Sequence, residues 1–161
     1  MVYLLQPYYQ NFGKRITKAP KVYFLDCGLV CYLTGISTAE HILQGPMAGA
    51  LFENFCVQET LKTLLFQGYQ PKLYYLRSYN NLEVDLLIEG KNLKLHPCEV
   101  KMTKTPKPQM ADPIHRFKAL FPKLPVGEGR ILCLAENDLQ LTREAKVQPL
   151  SSYWSWMKAN L

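Results

Sequence analysis

No apolar run in the sequence approaches the roughly 20 residues of a membrane-spanning helix, so no bilayer crossing is expected. No secretory signal is visible: Met1-Val2-Tyr3-Leu4-Leu5 is too short and lacks a basic start. There is no Cys-x-x-Cys pair, which argues against a zinc site. The five cysteines, Cys27, Cys31, Cys56, Cys98 and Cys133, are odd in number and sit in apolar contexts. Reduced, buried thiols in a cytoplasmic protein are the simplest account of them. The three histidines, His41, His96 and His115, are far apart and have no metal-ligand spacing. A Walker A glycine-lysine loop, internal repeats and low-complexity tracts are also missing, so neither a P-loop nor a repeat architecture is expected.

What remains is an ordinary globular composition, 48% hydrophobic and 20% charged over 161 residues. That length suits about one domain, with roughly two thirds of the unfolded surface buried on folding. The net charge is +6, which suits a polyanionic partner such as nucleic acid and an ordinary basic surface equally well.

In chain order, Tyr8-Tyr9-Gln10-Asn11-Phe12-Gly13-Lys14-Arg15 leads through Lys18-Ala19-Pro20-Lys21 into the strand-like Val22-Tyr23-Phe24-Leu25. Basic residues with interleaved aromatics suit nucleic-acid contact. Gly13 and Pro20 argue against a long helix, and a linker with a docked edge strand is the simpler reading. Asp26 to Gly35 reads as a short capped helix, and residues 36–46 as a loop or frayed helix. The longest helix is expected over Ala48 to Gln67. On it, Glu53 shares a face with Cys56, Val57, Thr60 and Leu64, an apolar setting for a carboxylate. Three strands follow, Leu73–Arg77, Leu82–Glu89 and Leu93–Lys101, with turns at 78–81 and 90–92. Pro97 suggests an edge position or a bulge near Glu99. A helix from Asp112 to about Phe121, a buried strand over 129–135, an extended piece at 147–150 and a terminal helix carrying Trp154 and Trp156 complete the reading.

The second and third strands carry the chemistry. Alternation puts Val84, Leu86 and Ile88 on one face and Glu83 and Asp85 on the other; Glu99 and Lys101 likewise share a face. Adjacent strands would bring Asp85, Glu99 and Lys101 to one surface. Two carboxylates there could hold Mg²⁺ or Mn²⁺, and a lysine could orient a water and stabilise charge, as phosphodiester hydrolysis requires. The same residues also suit an ion-pair cluster in a domain that only binds DNA or a partner. Glu83 and Glu89 read as solvated strand-end charges, and Lys104, Lys107, Arg116 and Lys118 as a phosphate track or a solvated face.

Asp85 followed by Glu99-Val100-Lys101 resembles the Asp…(Asp/Glu)-x-Lys signature of the PD-(D/E)XK, or restriction-endonuclease-like, nuclease superfamily. With Lys18-Ala19-Pro20-Lys21-Val22-Tyr23-Phe24-Leu25-Asp26-Cys27-Gly28-Leu29, Gly49-Ala50-Leu51-Phe52-Glu53-Asn54-Phe55 and Glu83-Val84-Asp85, the chain is similar to the C-terminal domain of unknown function of bacterial and archaeal AAA+-type ATPases. The likeness runs from about Tyr8 to Leu134. It implies an α/β fold with a restriction-endonuclease-like αβββαβ core, a mixed central sheet flanked by helices. It implies residues 1–45 as an N-terminal linker or helical extension, left from the connection to an ATPase and winged-helix part, and 46–161 as the nuclease-like domain. The sequence would then be a fragment or a truncated gene. Asp85, Glu99 and Glu53 would be the metal ligands, with Lys101 positioning water, and DNA the substrate. The alternative is a catalytically silent module that binds nucleic acid or a partner and regulates the ATPase.

Overall fold

The computed structural model describes residues 1–8, 19–78 and 81–161. Most of the basic-aromatic stretch, residues 9–18, and the turn residues Tyr79 and Asn80 lie outside the described residues.

Strands β1 (Val2–Pro7) and β2 (Lys21–Phe24) come first, followed by helices α1 (Cys27–Leu33), α2 (Ala39–Gln44) and α3 (Ala48–Phe66). Then come β3 (Leu73–Arg77), β4 (Glu83–Glu89) and β5 (Leu95–Lys101), α4 (Asp112–Leu120), β6 (Gly129–Cys133), β7 (Leu139–Thr142), β8 (Ala145–Pro149) and α5 (Leu150–Asn160). The result is an α/β fold with one mixed eight-stranded sheet in the order β2-β1-β3-β4-β5-β6-β8-β7. β1 runs parallel to β3, and β5, β6 and β8 run parallel to one another; the other pairings are antiparallel. Both β1 and β2 join this sheet. β1 and β7 are not expected from the sequence: Val2-Tyr3-Leu4-Leu5 does not alternate, and β7 is four residues long between Asp138 and Arg143.

Helices cover both faces. Cys56, Val57, Leu61 and Leu64 of α3 and Tyr153 and Met157 of α5 pack with Leu86, Ile88, Cys98, Val100 and Leu132 of the sheet. On the opposite face, Phe117 of α4 packs with Val84, Leu87 and Leu95, and Ile114 with Ile131 and Ala145. As expected, Cys56, Val57, Thr60 and Leu64 form a buried face of α3. Trp156 anchors α5, stacking on Tyr153 and lying beneath the Arg130 guanidinium, 3.7 Å from the ring centre.

Two local expectations fail, and both failures shape the site. Val84 does not share a face with Leu86 and Ile88. Tyr74 pairs with Leu87 but Leu76 with Val84, so Tyr75 alone opposes both Asp85 and Leu86. This is a β-bulge, and it reverses the alternation of β4 at Asp85. Pro97 is not on an edge strand, because β5 lies between β4 and β6. The strand tolerates it because pairing on that side is interrupted at Pro97: Leu95 bonds to Pro125 and Gly127, and the ladder to β6 resumes one residue out of register at Cys98↔Arg130. The irregularity near Glu99 takes another form: the pairing of β4 with β5 stops at Leu86↔Cys98, and the strands part there.

The core is closest where α4 crosses β6. A Cβ added at Gly129 would lie 2.5 Å from Cγ2 of the fully buried Ile114. Gly129→Ala is expected to cost about 1–3 kcal/mol by overpacking. Urea denaturation measures this, and an unchanged midpoint would contradict the packing described.

Candidate functional site

The bulge and the parted strands create a gap that side chains fill. Beyond Leu86↔Cys98 the Asp85 carboxylate takes over from the backbone ladder, its Oδ2 accepting from the Val100 N–H at 2.9 Å. Glu99 reciprocates, its Oε1 accepting from the Asp85 N–H at 3.4 Å. Lys101 Nζ closes the set, donating to Asp85 Oδ2 at 3.1 Å and Glu99 Oε2 at 2.8 Å. The three residues predicted to converge therefore do so, with both carboxylates aimed at one ammonium. The Glu99 side chain is 2% exposed, Asp85 14% and Lys101 34%, so the lysine is the most exposed of the three.

Burial, and next the charge of Asp85, push the Glu99 carboxyl up to about 8 against the opposing influence of Lys101. Burial alone would lower Lys101, but the charges of Glu99 and Asp85 hold it above the ordinary lysine range. Glu99 thus keeps its proton at neutral pH beside the Lys101 ammonium.

A second set adjoins the first. Lys21 and Tyr23, two apart on β2, point the same way. The Tyr23 hydroxyl donates to Glu53 Oε1 at 2.5 Å. Lys21 Nζ lies 3.3 Å from the same oxygen and 2.9 Å from Glu83 Oε1. Burial and the charges of Glu53, Asp85 and Glu83 drive the Tyr23 hydroxyl far above its ordinary range. Burial opposes the charge on Lys21, yet its hydrogen bond to Glu83 and the charges of Glu53, Glu83 and Asp85 raise its pKa. Asp85 thus acts on both sets, making them one electrostatic neighbourhood. Glu53 joins the site through Lys21 and Tyr23, with no direct bond to Asp85 or Glu99 among the described residues. Glu83 is not merely solvated, since Lys21 and Arg77 both pair with it; Glu89 pairs with Lys72. Lys21 and Tyr23 were not recognised in the sequence as site residues. Their only signal is the alternation Lys21-Val22-Tyr23-Phe24, which does not reveal what faces it.

Among the described residues, no group of three or more His, Cys, Asp or Glu side chains is gathered so as to hold a metal ion. The two-carboxylate set still fits a divalent cation. Its donors are all oxygen, and Asp85 Oδ2 and Glu99 Oε2 already meet at one cationic head. Mg²⁺ is commonly held by one or two carboxylates, with water and substrate phosphate supplying the rest.

Residues 48–153 match the family described as a domain of unknown function, DUF4143. The chain belongs to this family. A second domain of unknown function, DUF8612, matches residues 1–40. The DUF4143 match contains Glu53, Asp85, Glu99 and Lys101, while Lys21 and Tyr23 fall within the other. Two curated relatives are "Uncharacterized protein Mb2031c" of Mycobacterium bovis and "Uncharacterized protein Rv2008c" of Mycobacterium tuberculosis. Each is 37% identical over 102 residues, which is 63% of this chain but 22% of the relative. The chain thus spans less than a quarter of the length of these relatives. No solved structure matches it. No helix among the described residues is long and apolar enough to cross a membrane.

The Glu99 proton makes stability depend on pH. The folded protein keeps it up to about pH 8, whereas an ordinary carboxyl releases it near 4.5, so stability falls as pH rises through that window. Glu99→Gln removes the dependence. Its stability relative to wild type should grow with pH across that window, by several kcal/mol (about 1.4 per pH unit). Melting curves across the window check this, and a pH-independent difference would contradict it.

Proposed function

We propose that the domain hydrolyses phosphodiester bonds of DNA with Mg²⁺ or Mn²⁺, as the nuclease-like C-terminal part of a cytoplasmic ATP-binding AAA+-type protein. The observation that carries this reading is the meeting of Asp85 Oδ2 and Glu99 Oε2 at the Lys101 ammonium, 3.1 and 2.8 Å away. The order α3-β3-β4-β5-α4-β6 supports a restriction-endonuclease-like core. The net charge of +6 is compatible with a polyanionic substrate. The curated relatives extend far beyond the matched region, which leaves room in them for further domains.

Asp85 and Glu99 would hold the metal, with Glu53 in support. When bound, the ion supplies Lewis acidity and lowers the pKa of water. The rest falls to the chain's own groups. Lys101, released from the carboxylates, orients a water and balances charge on the phosphate in the transition state. Glu99 must lose its proton to become a ligand, so metal affinity rises with pH through about 8. Lys21 offsets the charge of Glu53 and Glu83, which limits repulsion of an approaching phosphate.

The test is nicking of supercoiled DNA by purified protein with Mn²⁺. Asp85→Ala and Lys101→Ala should each lower the rate by about 10²–10⁴-fold with the fold intact by circular dichroism. Intact DNA with wild type and both metals would overturn the reading. A specific observation favours a second one: an ammonium group already bridges each pair of acids in the site. A silent DNA- or partner-binding module would bind DNA equally well after Asp85→Ala and cleave none.

A further inference from the structure

The outer edge of β2 offers one hydrogen-bonding position. β2 is the terminal strand of the sheet, paired with β1 alone. The Leu25 N–H bonds to the Met1 carbonyl at 3.2 Å, so odd-numbered residues of this segment direct their backbone groups at β1. Even-numbered residues therefore direct theirs at the free edge. Of these, Pro20 has no N–H. Phe24 is already paired: its N–H donates to Asn54 Oδ1 at 2.7 Å and its carbonyl accepts from Asn54 Nδ2 at 2.9 Å. Among the described residues this leaves Val22 as the one position of the strand with both its N–H and its C=O unpaired, beside the lone carbonyl of Pro20. A continuing β-strand from a partner needs a row of such groups, and the row is blocked on both sides. A planar ligand presenting one donor beside one acceptor needs a single pair.

Val22 opens onto a cleft of about 420 Å³ between β2 and α3, lined also by Phe24, Ala50, Leu51, Lys21 and Glu53. Its walls include the apolar residues Val30, Met47, Ala50 and Leu51. Lys21 and Glu53 belong both to this cleft and to the acidic site. A ligand in the cleft would thus have its charged end beside Lys21, on the side of Glu83 and Asp85.

We infer that this cleft is a subsite for one unpaired nucleobase of a nucleic acid strand. The base edge pairs with the Val22 N–H and C=O, its face lies on the apolar wall, and the backbone leaves past Lys21 toward Asp85, Glu99 and Lys101. The path of the backbone rests on the nuclease reading; the base contacts do not. Every nucleobase carries adjacent donor and acceptor groups on its Watson–Crick edge, so the subsite selects for an unpaired base more than for a sequence.

Fluorescence anisotropy with a labelled oligodeoxyadenylate, in EDTA so that nothing is cleaved, tests this. Ala50 is an exposed position on the cleft wall, and Ala50→Trp fills the cleft without entering the core. The variant should bind about tenfold more weakly than wild type, with Ala50→Ser close to wild type. An abasic strand of equal length should bind wild type about tenfold more weakly than the adenylate strand. Equal binding of the two strands, or full binding by Ala50→Trp, would overturn the inference. So would saturable binding of an extended valine-rich peptide displaced by no oligonucleotide, which would assign the edge to a protein partner. The assay needs neither metal nor cleavage. Failure here leaves the nicking result standing, and absence of nicking leaves base-dependent binding standing.

Discussion

Lys101 holds together a part of the sheet that would otherwise repel itself. Where β4 and β5 part, two carboxylates replace the backbone ladder, and one of them, Glu99, is almost wholly buried. Two such acids side by side are tolerable only with a cation or a proton between them. The structure uses both. The ammonium of Lys101 bonds each carboxylate, and the raised pKa of Glu99 lets a proton stay on it near neutrality. The bulge at Asp85 follows from the same demand. It turns that carboxylate into the gap, where it also accepts the Val100 N–H left free by the parting strands.

The arrangement favours function over stability as its explanation. An apolar pair would fill an interior strand junction at lower desolvation cost, since buried ion pairs seldom repay what they lose in hydration. Nor is the cluster sealed, for the Lys101 side chain is about one-third exposed. From the other side β2 brings Lys21 and Tyr23 onto Glu53 and Glu83. The first strand pair is therefore more than an extension of the sheet. It neutralises the outer half of the acidic neighbourhood and borders the cleft beside it.

Much of this was legible in the sequence. The alternating segments around Asp85 and Glu99, the apolar face of α3 around Glu53 and the order of elements from α3 to β6 all follow from periodicity and turn residues. Convergence of Asp85, Glu99 and Lys101 followed from two strands being neighbours. The bulge did not, because a parity argument assumes an unbroken pleat and one extra residue reverses it. Pro97 misled for a related reason: a proline is barred only where a ladder bond is needed, and at that residue the pairing on the β6 side is interrupted. Lys21 and Tyr23 were missed because their partners lie some thirty residues away on α3. No local pattern encodes that distance.

On the proposed reading, Asp85 and Glu99 form a cation site that Lys101 fills in the absence of metal. The most direct measurement is a crystal structure grown on the alkaline side and soaked in Mn²⁺, read by anomalous scattering. A peak is expected between the two carboxylates, with the Lys101 side chain displaced from them. No peak, with Lys101 still bonded to both acids, would contradict it.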